Sequence, residues 1–167
     1  MDGLYAVFFL LSAIFSSDNP VINGFNEGET IAYNKVSFSK VEFQNRFIGN
    51  EAQYSYFLNK KYGPLQPSYS LSLTDDNGFW AGAGFIRKVE LSNSVNFNFD
   101  FYPGVYVKGN EEDLGGWLMF RSGVELEYKV NNLWHISLGY DHRSSGDIWK
   151  YNPGMETLKL SVSKNIN

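Results

Sequence analysis

Long runs of two-residue alternation, tight polar turns between them and the lack of any convincing helical period predict an all-β chain, an eight-stranded antiparallel outer-membrane β-barrel. From Val95 to Val107 the odd positions read Val95, Phe97, Phe99, Phe101, Pro103, Val105 and Val107, against Asn96, Asn98, Asp100, Tyr102, Gly104 and Tyr106. From Leu118 to Val130 the even positions are Leu118, Phe120, Ser122, Val124, Leu126, Tyr128 and Val130, with Arg121, Glu125, Glu127 and Lys129 between them. Each segment has one greasy face and one polar face, because successive side chains on a strand point to opposite sides.

Strands are expected near 31–38, 51–59, 66–74, 79–91, 95–107, 117–130, 133–143 and 155–164, an even number suited to closing a barrel. The first two carry the weakest pattern. The third sets Leu65, Pro67, Tyr69, Leu71 and Leu73 against Gln66, Ser68, Ser70, Ser72 and Thr74, and the hairpin signal Asp75-Asp76-Asn77-Gly78 follows it. Lys108 to Gly116 reads as a longer solvated loop and Asn131-Asn132 as a tight connection. The seventh strand alternates Trp134, Ile136, Leu138 and Tyr140 with His135, Ser137, Gly139 and Asp141. The eighth sets Leu158, Leu160 and Val162 against Thr157, Lys159, Ser161 and Ser163. Several strands reach ten residues or more, long for a soluble sheet and right for a tilted crossing of a bilayer.

A chain of 167 residues makes one domain. Its aromatic content of 17% is high and its charged content of 19% is low, yet the mean hydropathy is negative, which excludes a helical membrane protein. A net charge of −4 and the lack of a basic cluster argue against nucleic acid as a partner. With no cysteine, disulfides and thiolate metal sites are excluded. Leu4 to Phe15 is an apolar run of signal-peptide length, but Asp2 is the only charge ahead of it and the residues before Asp18 make a poor cleavage site. Residues 1–18 are read as an atypical signal peptide, with an ordinary buried strand or helix as the alternative, and residues 19–167 as a single barrel domain.

Alternation alone does not say which face points inward. A soluble lipocalin-like barrel places its greasy face inside, and an outer-membrane barrel places it outside. Two features favour outside. The polar faces carry both signs of charge (Arg121, Glu125, Glu127, Lys129, Asp100 and Lys159), as an ion-paired plug requires. The greasy faces are large and aromatic, more than the interior of eight strands holds. Tyr102, Tyr128, Trp134 and Tyr140 are expected to form interfacial belts.

The two histidines lie on opposite faces of the seventh strand. His135 joins the polar side, whereas the greasy parity runs forward to His142 and Ser144. A serine and an imidazole two residues apart on a strand share a face, an arrangement that activates a hydroxyl with the histidine as base. Running the greasy parity of the last strand backwards lands on Glu156, beside His142 on the neighbouring strand, where a carboxylate would orient the imidazole. Three polar residues on an otherwise apolar face are costly where that face meets lipid. The bland alternative places all three above the membrane rim, where they cost little.

The run Tyr140-Asp141-His142-Arg143-Ser144-Ser145-Gly146, with Asn152-Pro153-Gly154-Met155-Glu156 after it, resembles the C-terminal signature of PagL-type lipid A 3-O-deacylases. Asp113-Leu114-Gly115 and Phe120 to Tyr128 resemble the preceding hairpin of the broader acyloxyacyl-hydrolase-like group. The resemblance implies an eight-stranded outer-membrane barrel with a Ser-His-Glu triad on its lipid-facing outside: Ser144 as nucleophile, His142 as base and Glu156 as orienting acid. Ser145, Gly146 and Asn152 would support the oxyanion or the loop. The implied substrate is the ester-linked chain at the 3-position of lipid A in lipopolysaccharide. No metal or organic cofactor is implied. The surrounding partners would be outer-membrane lipids, with a homodimer left open.

The chain also departs from that signature. Family members usually carry Asn directly after the nucleophile, where Ser145 stands here, and Asp147 brings a negative charge toward a developing oxyanion. Asn152, in the middle of Tyr-Asn-Pro-Gly, reads first as a turn residue and second as support for the site. Arg143 faces the other way and is expected to pair with an interior carboxylate. Two other functions stay open at this point: a non-catalytic small outer-membrane barrel, and a soluble lipid-binding barrel.

Overall fold

The computed structural model describes residues 26–166. The proposed signal peptide, residues 1–18, lies outside them. Ten strands run in order: β1 (Glu27–Glu29), β2 (Ala32–Phe43), β3 (Arg46–Phe57), β4 (Lys60–Tyr62), β5 (Leu65–Thr74), β6 (Phe79–Ser92), β7 (Val95–Val107), β8 (Leu118–Lys129), β9 (Trp134–Ser144) and β10 (Met155–Ile166). The eight long strands pair antiparallel with their neighbours, and β10 pairs with both β9 and β2, so the sheet closes. The short β1 and β4 pair with each other beside β5.

Two boundaries differ from the sequence expectation. The first strand runs on to Phe43 and the second begins at Arg46, joined by Gln44 and Asn45, both at positive φ (48° and 63°). This two-residue hairpin carries no glycine and so lacks the strongest turn signal.

The register fixes the tilt. A row of paired residues that leaves β10 at Glu156 passes His142, Ser122, Phe101, Phe85 and Pro67 and returns to β10 at Ile166. The return from position 156 to 166 is a stagger of ten residues, which inclines the strands by about 35–45° to the barrel axis. Rows therefore climb in the direction β9, β10, β2, β3, toward the end where β9 and β10 are joined. That end also carries the connection between β7 and β8, and the opposite end carries Ala32 paired with Ile166. Outer-membrane barrels keep short turns on the periplasmic side and longer loops outside, so the loop end faces the cell exterior.

The faces resolve the question that alternation left open. Phe38 (68% exposed), Leu160 (63%), Leu138 (58%) and Tyr69 (58%) point outward. Charged residues fill the inside. Arg121 bridges Asp141 at 2.5 Å and Glu51 at 2.8 Å, and Arg143 also pairs with Glu51. Lys159 reaches Asp141 at 2.7 Å, and Lys35 reaches Glu125 at 2.8 Å. His135 lies inside with Nδ1 3.3 Å from Glu127. Lys129 sits toward the mouth and pairs with Glu90. One expected belt residue is misplaced. Tyr102 is buried inside with its hydroxyl 2.7 Å from that of Ser68, because its even position belongs to the inward set, while Tyr128, Trp134 and Tyr140 do face outward.

Near the loop end the two faces exchange character. Val41, Phe43, Tyr102, Tyr106, Met119 and Met155 turn inward around Trp80 and Leu114 and cap the interior. On the outside, Lys40, Glu42, His142 and Glu156 replace the greasy series. At the other end Tyr33 stacks on Phe57 with ring centroids 4.0 Å apart.

Arg121 is the interior group with the most at stake, since its removal leaves two buried carboxylates short of a partner. Arg121→Met is expected to lower folding stability by about 3–5 kcal/mol. Urea titration in lipid vesicles, followed by the gel mobility of the folded barrel, measures this.

Candidate active site

The final hairpin builds the site. Its register sets Glu156 opposite His142 on the outer face, and Oε1 of Glu156 lies 3.2 Å from Nδ1 of His142. Both side chains are partly accessible, at 14% for the imidazole and 24% for the carboxylate. Ser144 ends β9 on the same parity as His142, opposite Phe120 of β8, and is only 4% exposed. The structure thus joins two of the three residues expected together. The third link, from the Ser144 hydroxyl to the imidazole, is not closed by a hydrogen bond among the described residues. Such bonds are often long in sites without substrate.

The loop from Ser145 to Gly154 is braced by one carboxamide. Asn152 Oδ1 accepts from both the Ser145 N–H and the Ser145 hydroxyl, each at 2.7 Å, and Asn152 Nδ2 donates to Asp147 Oδ1 at 2.8 Å. Gly146 and Asp147 turn the chain through the left-handed region, at φ 60° and 63°. Aspartate tolerates that conformation better than most residues. The charge of Asp147 is therefore held against Asn152, and both donors of Ser145 are occupied. Arg143 points inward to Glu51, as its parity requires.

Several residues the sequence reading passed over support this arrangement. Gly154 presses on the His142–Glu156 pair: a Cβ there would lie 2.4 Å from Cε1 of the imidazole and 3.3 Å from the Glu156 carboxylate. Gly115 and Gly116, between β7 and β8, let that loop dock on the last one. A Cβ on Gly115 would meet the Tyr151 carbonyl oxygen at 1.9 Å, and one on Gly116 would meet the Trp149 indole at 2.2 Å. Ser122 stands opposite His142 on β8, 6% exposed. Its signal was available, since it is the one hydroxyl between Phe120 and Val124 on a greasy face. Polarity on the outer face does not by itself single out the three residues, because Lys40 and Glu42 belong to the same polar zone. What sets the trio apart is the His–Glu contact and the burial of Ser144.

A closed barrel with a charged, ion-paired interior and an apolar wall belongs to the bacterial outer membrane, and this one carries a candidate hydrolase site on its outside. The sequence matches the lipid A 3-O-deacylase (PagL) family over residues 46–165, and the chain belongs to that family. The crystal structure of the outer-membrane enzyme PagL is similar at 14% identity, covering 79% of this chain and 99% of that one with a TM-score of 0.60. Neisserial surface protein A is similar at 11% identity, covering 84% and 99%, with a TM-score of 0.59. A de novo designed transmembrane β-barrel matches at 8% identity, covering 83% and 100%, with a TM-score of 0.61. At these identities the likeness concerns the fold. A search among curated proteins finds no match.

Gly154→Ala forces the imidazole to move. The ring resonances of His142 are expected to shift in NMR spectra of the detergent-solubilised barrel, while interior amides such as that of Ser137 stay in place.

Proposed function

We propose that this chain is a serine esterase of the outer membrane that removes the ester-linked acyl chain from the 3-position of lipid A. The observation that carries the reading is the contact between His142 and Glu156, on the outer face at the loop end and beside Ser144, within the segment that matches the deacylase family. A lipid ester in the outer leaflet reaches that face without leaving the membrane.

In this reading Glu156 accepts from Nδ1–H of His142 and so fixes the tautomer that leaves Nε2 free as a base. Ser144 Oγ attacks the ester carbonyl carbon as His142 takes its proton. The tetrahedral intermediate collapses with cleavage of the bond to the sugar oxygen, which receives that proton. Water, deprotonated by His142, then attacks the acyl-enzyme and releases a fatty acid and free Ser144. Asn152 has two N–H donors, of which Asp147 engages one, so the other stays available to an oxyanion together with backbone N–H groups of the loop. Ser145 and Gly146 shape that loop. No step calls for a metal or an organic cofactor.

A non-catalytic barrel is the second reading, favoured by the occupied donors of Ser145 and the open Ser144–His142 link. Mass spectrometry of lipid A from cells expressing each form separates the two. The unaltered protein is expected to remove one acyl chain, from the 3-position, and Ser144→Ala or His142→Ala to leave lipid A intact. Glu156→Ala is expected to slow turnover on the order of 10⁴-fold. Intact lipid A with all forms, each present in the outer membrane, overturns the esterase reading for that host.

A further inference from the structure

Beside the candidate triad, the outer wall of β9, β10, β2, β3 and β5 carries an open groove of about 690 Å³. Its physical origin is Ala52. On the outer face this small residue stands between Phe38 on β2 and Leu73 on β5, so the wall is hollow there. Leu138, Leu158 and Leu160 continue the groove toward the strands that carry His142 and Glu156. Ser39, Glu51, Thr74 and Lys159 form its floor from the inward-facing set, while the outward-facing side chains are apolar except at the end nearest the loops, where Lys40, Asn50 and Asp75 meet.

That polar end is organised. Asp75 accepts from the Asn50 N–H at 2.9 Å and from Asn50 Nδ2 at 2.7 Å, bonds that hold the Asp75 carboxyl below its usual range. With its N–H₂ committed to Asp75, Asn50 turns Oδ1 to Lys40, whose Nζ donates to it at 2.9 Å. Nζ also lies 4.5 Å over the Phe47 ring. Lys40 is exposed, takes part in no ion pair among the described residues and retains two N–H donors. Glu42 flanks it two residues further along β2, so its charge is not part of a larger basic patch.

Level and distance connect this cluster to the candidate triad. Rows climb from β9 through β10 to β2, while Ser144 lies two residues above its row and Lys40 two residues below the same row. With strands about 4.8 Å apart and a rise of about 3.3 Å per residue, the two Cα atoms fall within about 4 Å of one level and roughly 16 Å apart around the wall. That is the span of a phosphorylated disaccharide headgroup lying along the membrane surface, with its chains descending into the bilayer.

We propose that Lys40, oriented by Asn50, binds a phosphate of the glycolipid substrate, and that the groove at Ala52 receives an acyl chain that stays attached after cleavage. The proposal rests on the esterase reading for the identity of the substrate. It assigns the chain end of the lipid to the wall of Phe38, Leu158 and Leu160, and the charged end to Lys40. A phosphate at this site replaces water on two lysine donors and keeps the Asn50 contact. The exposed position of Lys40 means that its replacement leaves the barrel intact, which the heat-dependent gel mobility checks.

The test separates binding from cleavage. Binding of bis-phosphorylated and of dephosphorylated lipid A is measured on Ser144→Ala protein in detergent micelles. The phosphorylated lipid is expected to bind about tenfold more tightly. Adding Lys40→Ala is expected to abolish that difference and Lys40→Arg to keep most of it, while Ala52→Phe weakens both lipids alike. With Ser144 present, Lys40→Ala is expected to raise KM for the phosphorylated lipid with kcat little changed. A preference that survives Lys40→Ala, or no preference in the parent, overturns the site. Equal displacement by phosphatidylglycerol overturns its assignment to the substrate. A Lys40-dependent preference without any hydrolysis when Ser144 is restored sinks the esterase reading and leaves the phosphate site standing.

Discussion

Inside a bilayer no water is available to the backbone, so a sheet that crosses it must bond every strand on both sides. Closure is therefore the constraint on which this structure turns, and β10 meets it by pairing with β9 on one flank and β2 on the other along nearly its whole length. The same strand carries Glu156. On the flank toward β9 the antiparallel β9–β10 hairpin, in register, sets that carboxylate against His142. The His–Glu pair thus sits on the strand that seals the barrel, held by a ladder of backbone bonds and packed from above by the loop that carries Gly154.

Closure with eight strands leaves a narrow interior, and the chain fills it with charge. Glu51, Arg121, Arg143, Asp141 and Lys159 form one connected set across β3, β8, β9 and β10. Such a set is costly to desolvate and is held only because each member has partners. Its benefit is to fix register: slipping one strand by a residue would carry these charges to the lipid face. Above it the interior turns apolar around Trp80, with the Arg121 and Arg143 guanidinium groups 5.6 and 5.7 Å from its ring. Where the inside turns apolar the outside turns polar, and the candidate triad and Lys40 occupy that outer transition zone.

Most of the barrel could be read in the sequence because period two is a strong signal once strands exceed ten residues. Six of the eight long strands match to within two residues at both ends. The two that moved, β2 and β3, cross the transition zone, where Lys40 and Glu42 take the outward positions and Val41 and Phe43 the inward ones. The phase holds but the polarity inverts, which hides the strand from a pattern of greasy residues. The same logic misplaced Tyr102, an inward residue in a run whose outward neighbours are all apolar. For the site, parity brought His142, Ser144 and Glu156 to one face and antiparallel order set Glu156 beside His142, but spacing carries no information on what the loops pack against. The support from Gly154, Gly115 and Gly116 was invisible for that reason, since a glycine shows its role only by what a side chain would strike.

The proposed function requires a nucleophilic serine on the lipid-facing side of a sealed barrel. An alkyl phosphonate that partitions into membranes and reacts with activated serines tests it directly on isolated outer membranes. After digestion and mass spectrometry, one adduct is expected, on the peptide containing Ser144, together with its loss in His142→Ala. An adduct on another serine, or none on Ser144 in the unaltered protein, contradicts it.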